Sequence, residues 1–182
     1  SWTLGLYAAQ FLIGLPLLAI MPRAIQKFSW QRIRELVGLT RGPKWSDLGR
    51  ALTTFVVYFA ISLVVQSIIA QLIPAFNPDQ VQDVGFNNIV QPFGIVLAFL
   101  ALVVIAPFGE ELIFRGYIFG SIRPLIGYIA ASIVTSAFFG LVHGQWNVGI
   151  DVFVLSLGLC YLRQKTDTIW AGIMLRSEEH TS

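Results

Sequence analysis

The chain has 182 residues, of which 55% are hydrophobic and 12% are charged, with a formal net charge of +2 at pH 7. Soluble domains usually carry about a quarter charged residues, so this composition excludes an ordinary soluble domain. The single cysteine, Cys160, excludes an internal disulfide framework and is expected to be a packing residue. Uncharged runs of roughly 18 or more residues are candidates for membrane spans. The sequence therefore predicts an all-α, polytopic transmembrane helical bundle.

The predicted spans follow the apolar runs in chain order. The first, 2–20, lacks a basic segment before it and is predicted to be a span rather than a signal peptide. About six spans are expected in total, because runs of membrane-spanning character recur along the chain. The remaining spans are predicted at 51–73, 94–118, 124–145 and 147–162, with a sixth that begins near residue 168.

The sixth span is predicted to be truncated. Its apolar part contains only eight residues, 168–175, before the sequence changes to "RSEEHTS". A helix of that length cannot cross a bilayer, and these seven letters resemble the translation of a common sequencing adapter. Residues 176–182 are therefore interpreted as a non-native tail. On this ground we exclude Glu178, Glu179 and His180 from the site, although glutamate and histidine side chains can bind a metal ion.

Basic residues indicate the orientation of the bundle. The segment 21–50 contains seven Lys/Arg and two acidic residues, whereas the next loop has two aspartates and no Lys/Arg. The positive-inside rule places loop 21–50 in the cytoplasm. Its interspersed aromatic residues favour contact with membrane lipid over nucleic acid, so no nucleic-acid partner is expected. Nothing in the sequence indicates an oligomeric state.

Four ionisable residues fall at predicted membrane depth, where such groups are functional candidates because they are costly: Glu110, Glu111, His143 and Asp151. Glu111 and Arg115 have the i, i+4 spacing of a helical ion pair. On the same helix, the Glu110 side chain projects about 100° away from that of Glu111, so it would remain unpaired and free to face a cavity. The alternative is that both glutamates simply pair with Arg115 and cytoplasmic water.

His143 ends the predicted fourth span, with Phe139 one turn earlier on the same face. A membrane histidine is often only hydrogen-bonded to a helix neighbour. A buried carboxylate is suited to take a proton from water, and an imidazole can bind a metal or donate to an oxyanion. Glutamate plus histidine therefore suggests hydrolysis, although a proton relay in a transporter uses the same residue types.

Two motifs carry a resemblance to a known family. "EELIFRG" at 110–116 matches EExxxR, and "FGLVH" at 139–143 matches FxxxH, of the CPBP intramembrane proteases. That family includes type II CAAX prenyl endopeptidases and the bacterial Abi proteins of bacteriocin processing and immunity. The resemblance covers 92–175, which is interpreted as a catalytic membrane domain after N-terminal spans and the basic loop in 1–91. At position 176, where the family places a histidine, this chain has arginine.

The resemblance implies an intramembrane endopeptidase that hydrolyses a peptide bond in a membrane-associated or prenylated-type protein or peptide. Glu110 would activate water, Glu111 and Arg115 would support it, His143 would complete the site, and Phe139 would be structural. The family's metalloprotease label implies a divalent metal such as zinc, with Glu110 and His143 as ligands; a metal-independent, glutamate-dependent hydrolase stays open.

The resemblance also implies a protein integral to the bacterial cytoplasmic membrane. Two other functions stay open: a non-catalytic membrane scaffold or bacteriocin-immunity protein, and a proton-coupled transporter. Loss of the third motif would leave this chain inactive even if its parent is a protease.

Overall fold

The computed structural model describes residues 28–73, 76, 91, 100–144 and 146–179. Over these residues the chain forms six helices and no strand, which confirms the all-α prediction. The predicted span at 2–20 lies outside the described residues. The helices are α1 (Trp30–Val37), α2 (Trp45–Leu72), α3 (100–126), α4 (Tyr128–Val142), α5 (Trp146–Thr166) and α6 (Trp170–Glu179).

Helix α2 has the character of a membrane span. It is 28 residues long and, within the described part of the chain, it alone is long and apolar enough to cross a bilayer by itself, whereas α4 is apolar but shorter. It begins six residues before the predicted span at 51–73, because Asp47 accepts a hydrogen bond from the Lys44 amide at 3.0 Å and closes the first turn. The helices thus agree with a membrane protein without by themselves establishing several spans.

Helix α3 is continuous across the predicted boundary between the third and fourth spans. It runs through four stretches that alternate between π and α geometry: Leu100–Ile105, Ala106–Glu110, Glu111–Ile118 and Phe119–Ile126. The turn comes at Gly127, whose φ of 81° lies in a region that favours glycine. The predicted break between 118 and 124 is therefore wrong, because Pro124 is accommodated inside the helix and the chain reverses only at this glycine.

Helices α4 and α5 cross closely at a pair of glycines. A Cβ atom added to Gly140 would lie 2.6 Å from the carbonyl oxygen of Gly149. The two backbones therefore pack without intervening side chains, as small residues permit in membrane helices. This crossing lies one turn before His143 and fixes where α4 ends relative to α5.

Helix α1 is docked onto the rest of the protein. Its residues Ile33 and Val37 are buried. At its C-terminal end, the Arg163 guanidinium donates to the carbonyls of Glu35 and Leu36 at 3.3 and 3.1 Å, and the Thr168 hydroxyl donates to the Gly38 carbonyl at 2.9 Å. These contacts hold the C-terminal end of α1 against α5 and the turn that follows it. The apolar face of this part of the basic loop therefore packs on protein, which the lipid-facing interpretation did not anticipate.

Candidate functional site

The two glutamates lie where α3 changes from α to π geometry. Glu110 ends the α-helical stretch Ala106–Glu110, and Glu111 begins the π-helical stretch Glu111–Ile118. Both are buried, with 8% and 1% of their surface exposed. π-helical turns interrupt the regular ladder and occur frequently at functional sites. Here the change of geometry falls between two adjacent carboxylates that face different partners.

The ion pair predicted between Glu111 and Arg115 is present. The Arg115 Nη1 and Glu111 Oε1 atoms are 3.1 Å apart, and both side chains are fully buried. The Arg115 guanidinium carbon also lies 4.3 Å from the centroid of the Phe139 ring, in a cation–π contact. A buried pair of this kind tolerates the loss of neither partner, because the remaining charge would be left uncompensated.

Gly172 of α6 is in contact with the Glu111 carboxylate. A Cβ atom added at this glycine would overlap the Glu111 Oε2 atom and approach its Cδ atom to 2.9 Å. The absence of a side chain on α6 is therefore what allows the carboxylate to lie against that helix. This residue was not predicted from the sequence, because a glycine in an apolar helix does not reveal what it faces.

We expect Gly172→Ala to destabilise the folded protein by about 1–3 kcal/mol, since the added methyl group must displace a buried, paired carboxylate. Gly49→Ala is the matched control, because a Cβ atom there meets nothing within 4 Å. Unfolding of both variants in the same detergent provides the comparison. Equal stability of the two variants would show that the Glu111 carboxylate is free to move away from α6.

The structure corrects the expectation that Glu110 is free for a cavity. Its Oε2 atom lies 2.6 Å from Nη1 of Arg176, and both side chains are largely buried. The pairing is possible because α6 continues as a helix to Glu179 and carries residue 176 against α3. The sequence could not predict this contact, since Arg176 was assigned to the excluded tail. One of the two Glu110 oxygens is therefore engaged by a cation.

His143 follows the last residue of α4 and is half-buried. Its Nδ1 atom lies 2.7 Å from the carbonyl oxygen of Phe139. A carbonyl can only accept, so we assign the proton to Nδ1, which leaves a lone pair on Nε2. The hydrogen bond to a helix neighbour that sequence analysis kept as an alternative is thus present, and it orients the second nitrogen for chemistry.

Phe139 is the common wall of the site. This fully buried ring contacts the His143 ring at 4.7 Å in an edge-on arrangement. The guanidinium carbons of Arg115 and Arg176 lie 4.3 and 5.1 Å from its centroid. Because Arg115 pairs with Glu111 and Arg176 pairs with Glu110, one aromatic ring connects both glutamates to the histidine. The motif predicted a structural phenylalanine but not this central position.

The Phe139 ring also joins the predicted site residues of α3 and α4. It contacts the His143 ring, and the Arg115 guanidinium carbon lies 4.3 Å from its centroid. The predicted residues of α3 and α4 therefore converge on one region. The π-helical stretches of α3 and the glycine crossing of α4 with α5 are the features that accompany this convergence.

A zinc site of the usual kind is not formed by the described residues. Zinc needs about three protein ligands, and within the described part of the chain no group of three or more His, Cys, Asp or Glu side chains could hold a metal ion. Glu110, one of the two predicted ligands, is instead paired with the cationic Arg176. The described residues therefore do not supply the three ligands that zinc needs, and the reaction proposed for this chain uses no metal.

Asp151 belongs to a separate polar cluster between α5 and α2. Its carboxylate accepts hydrogen bonds from the Tyr58 hydroxyl at 2.7 Å and from the Gln66 amide at 3.0 Å, and it also accepts one from the Ser62 hydroxyl. Three neutral donors on one helix face thus satisfy a carboxylate on the neighbouring helix. The hydrogen bonds of Asp151 connect helices, and none of its partners is a predicted site residue.

The fold and this site point to a class of protein: residues 92–177 match a model of a membrane-embedded protease family, and this match supports a CPBP family protease. The family model that matches them is described as type II CAAX prenyl endopeptidase Rce1-like. The match covers a little under half of the chain and includes the four predicted site residues, Glu110, Glu111, Arg115 and His143. No curated protein and no solved structure matches the chain.

Proposed function

We propose that this chain has the architecture of an intramembrane endopeptidase in which Glu110 activates water to hydrolyse a peptide bond. The observation that carries the proposal is the separation of roles between the two glutamates. Glu111 is paired with Arg115 one turn along the same helix, whereas Glu110 is paired with Arg176 of α6, whose guanidinium carbon lies 5.1 Å from the centroid of the Phe139 ring that His143 contacts. A membrane-associated or prenylated-type protein or peptide is the substrate class implied by the family.

In the proposed reaction, the Glu110 carboxylate takes a proton from a water molecule as that water attacks the carbonyl carbon of the peptide. The Nε2 lone pair of His143 helps to hold the attacking water, because Nδ1 is committed to the Phe139 carbonyl. The Glu110 carboxyl group then returns its proton to the leaving amine as the tetrahedral intermediate collapses. General acid–base catalysis of this kind contributes about 10²–10⁴-fold to a rate.

Arg176 opposes this chemistry in the present chain. Its guanidinium engages Oε2 of Glu110 at 2.6 Å and so competes with water for the carboxylate. This contact favours the second candidate function, a non-catalytic membrane scaffold that keeps the polar cluster for packing. The Asp151 cluster gives a transporter no comparable support, because its carboxylate is satisfied by three donors from α2.

We expect Arg176→Ala to raise the cleavage of a membrane-bound peptide at least about tenfold over the unchanged chain, since it releases one carboxylate oxygen for water. Arg176→Lys is the matched control, because it keeps a cation beside Glu110 and should leave cleavage low. The assay uses purified protein in proteoliposomes, with farnesylated and unmodified versions of one peptide. Absence of cleavage in all three proteins would contradict the proposed peptidase and favour the scaffold.

A further inference from the structure

We propose that a notch between α2 and α5 binds the phosphate headgroup of an anionic phospholipid. The notch lies at the N-terminal end of α2, beside the last turns of α5, on the side that the basic residues predict to be cytoplasmic. It has a volume of about 280 Å³, and its lining consists mainly of hydroxyl-bearing residues with one arginine: Ser46, Gly49, Arg50, Thr53, Thr54 and Tyr161.

Gly49 faces open space in the notch. A Cβ atom added at this position would meet nothing within 4 Å. The Thr53 hydroxyl donates to the Gly49 carbonyl at 2.9 Å, which leaves its oxygen lone pairs directed elsewhere. The Ser46 hydroxyl makes no hydrogen bond within the described part of the chain. A polar ligand can therefore approach the first turns of α2 without displacing a side chain.

The positive charge of Arg50 is available to such a ligand. Asp47 interacts electrostatically with it, but Asp47 is buried and already bound by Arg41 through two hydrogen bonds of 2.7 and 2.8 Å. Arg50 is exposed and forms no ion pair or hydrogen bond with the described residues. Arginine donors in a planar fork suit the oxygens of a phosphate.

A second cation lies on the α5 side of the notch. Lys165 places its Nζ atom 5.9 Å from the centroid of the Tyr161 ring, and Tyr161 lines the notch. Lys165 has no acidic partner among the described residues. Two cations on neighbouring helices therefore flank a group of hydroxyls, and this arrangement complements a single phosphate anion.

The surface next to the notch selects a lipid over a free phosphate. Four exposed apolar residues continue along α2 on the face of Thr53, at spacings of three or four residues: Val57 (52% exposed), Ile61 (47%), Val64 (58%) and Ile68 (52%). From first to last they extend about 16 Å along the helix. An acyl chain can follow this stripe while its headgroup occupies the notch. Trp45, which is 89% exposed at the start of α2, has the interfacial position typical of tryptophan.

The test measures binding of fluorescent phosphatidylglycerol to the purified chain in zwitterionic micelles. The double variant Arg50→Gln/Lys165→Gln should lower affinity at least about tenfold, since each basic residue near anionic lipid contributes about 1 kcal/mol. Arg32→Gln/Arg34→Gln is the matched control, because it removes two charges from the same predicted side and should change affinity little. If both double variants lost affinity for the lipid equally, the proposal would be overturned, because the lipid would then be attracted by the overall positive charge and not by the notch.

Two further measurements separate the sources of the phosphate and the role of shape. Gly49→Leu fills the notch without changing charge and should weaken binding as strongly as the double variant; unchanged binding would overturn the notch as the site. Soluble glycerol phosphate should not compete with the lipid at millimolar concentration. If glycerol phosphate displaced the lipid at a concentration equal to that of the lipid, the proposed phospholipid ligand would be overturned in favour of a free phosphate.

Discussion

In the Arg176→Ala background, replacement of Glu110 by glutamine is expected to lower peptide cleavage by about 10²–10⁴-fold, the range that a positioned general base contributes. Glutamine keeps the size and the hydrogen-bonding atoms of the side chain but cannot accept the proton of an attacking water. The measurement is the initial rate of peptide cleavage in proteoliposomes, at protein concentrations matched by folded fraction.

Glu35→Gln is the matched control for this variant. Glu35 undergoes the same chemical change, but its partner Arg32 is an exposed residue on α1, with the two oppositely charged atoms 3.2 Å apart. We expect this variant to cleave at the rate of its parent. If Glu110→Gln retained that rate as well, Glu110 would not be the base, and the polar cluster would be left with a packing role.

Replacement of Arg115 by methionine is expected to destabilise the fold by about 3–5 kcal/mol, because it leaves Glu111 buried without its counter-charge. The pair is fully inside the protein, with 0% and 1% of the side chains exposed. Methionine preserves much of the packing against Phe139, so the effect reports mainly on the lost charge. Unfolding in mixed detergent micelles measures the difference.

The corresponding control is Arg32→Met on α1. Arg32 pairs with Glu35 three residues away, but its side chain is 65% exposed. Exposed pairs contribute about 0–1 kcal/mol, so this variant should be nearly as stable as the unchanged chain. The double variant Glu111→Leu/Arg115→Met should recover most of the stability lost in Arg115→Met, because neither charge remains buried. Persistent instability of the double variant would assign the loss to packing instead.

Local pairs were predictable because helical geometry fixes which residues can touch. The spacing of Glu111 and Arg115 was sufficient to predict their ion pair, and the spacing of Phe139 and His143 was sufficient to predict their contact. The exact ends of the helices were less predictable. Helix α2 begins before its predicted span at 51–73, and α3 ends after its predicted span at 94–118. Apolar composition does not reveal where a charged residue caps a turn or where a glycine reverses the chain.

Contacts between distant helices were not predictable from spacing. The pairing of Glu110 with Arg176 depends on how α6 lies against α3, and the hydrogen bonds to Asp151 depend on how α2 lies against α5. Gly172 acquires its importance only because the Glu111 carboxylate lies against it. In each case the sequence showed a chemical type, whereas the crossing of two helices decided its partner.

By itself, the sequence determined the helical class, the apolar span now seen as α2 and the motif residues that carry the family resemblance, because each depends on residues close together along the chain. Only the tertiary structure decided that Glu110 is engaged by a cation, that α1 docks on the α5–α6 turn and that Phe139 connects both glutamates to His143. The physical reason is the same throughout. A buried charge must be compensated, but the residue that compensates it is selected by packing between helices.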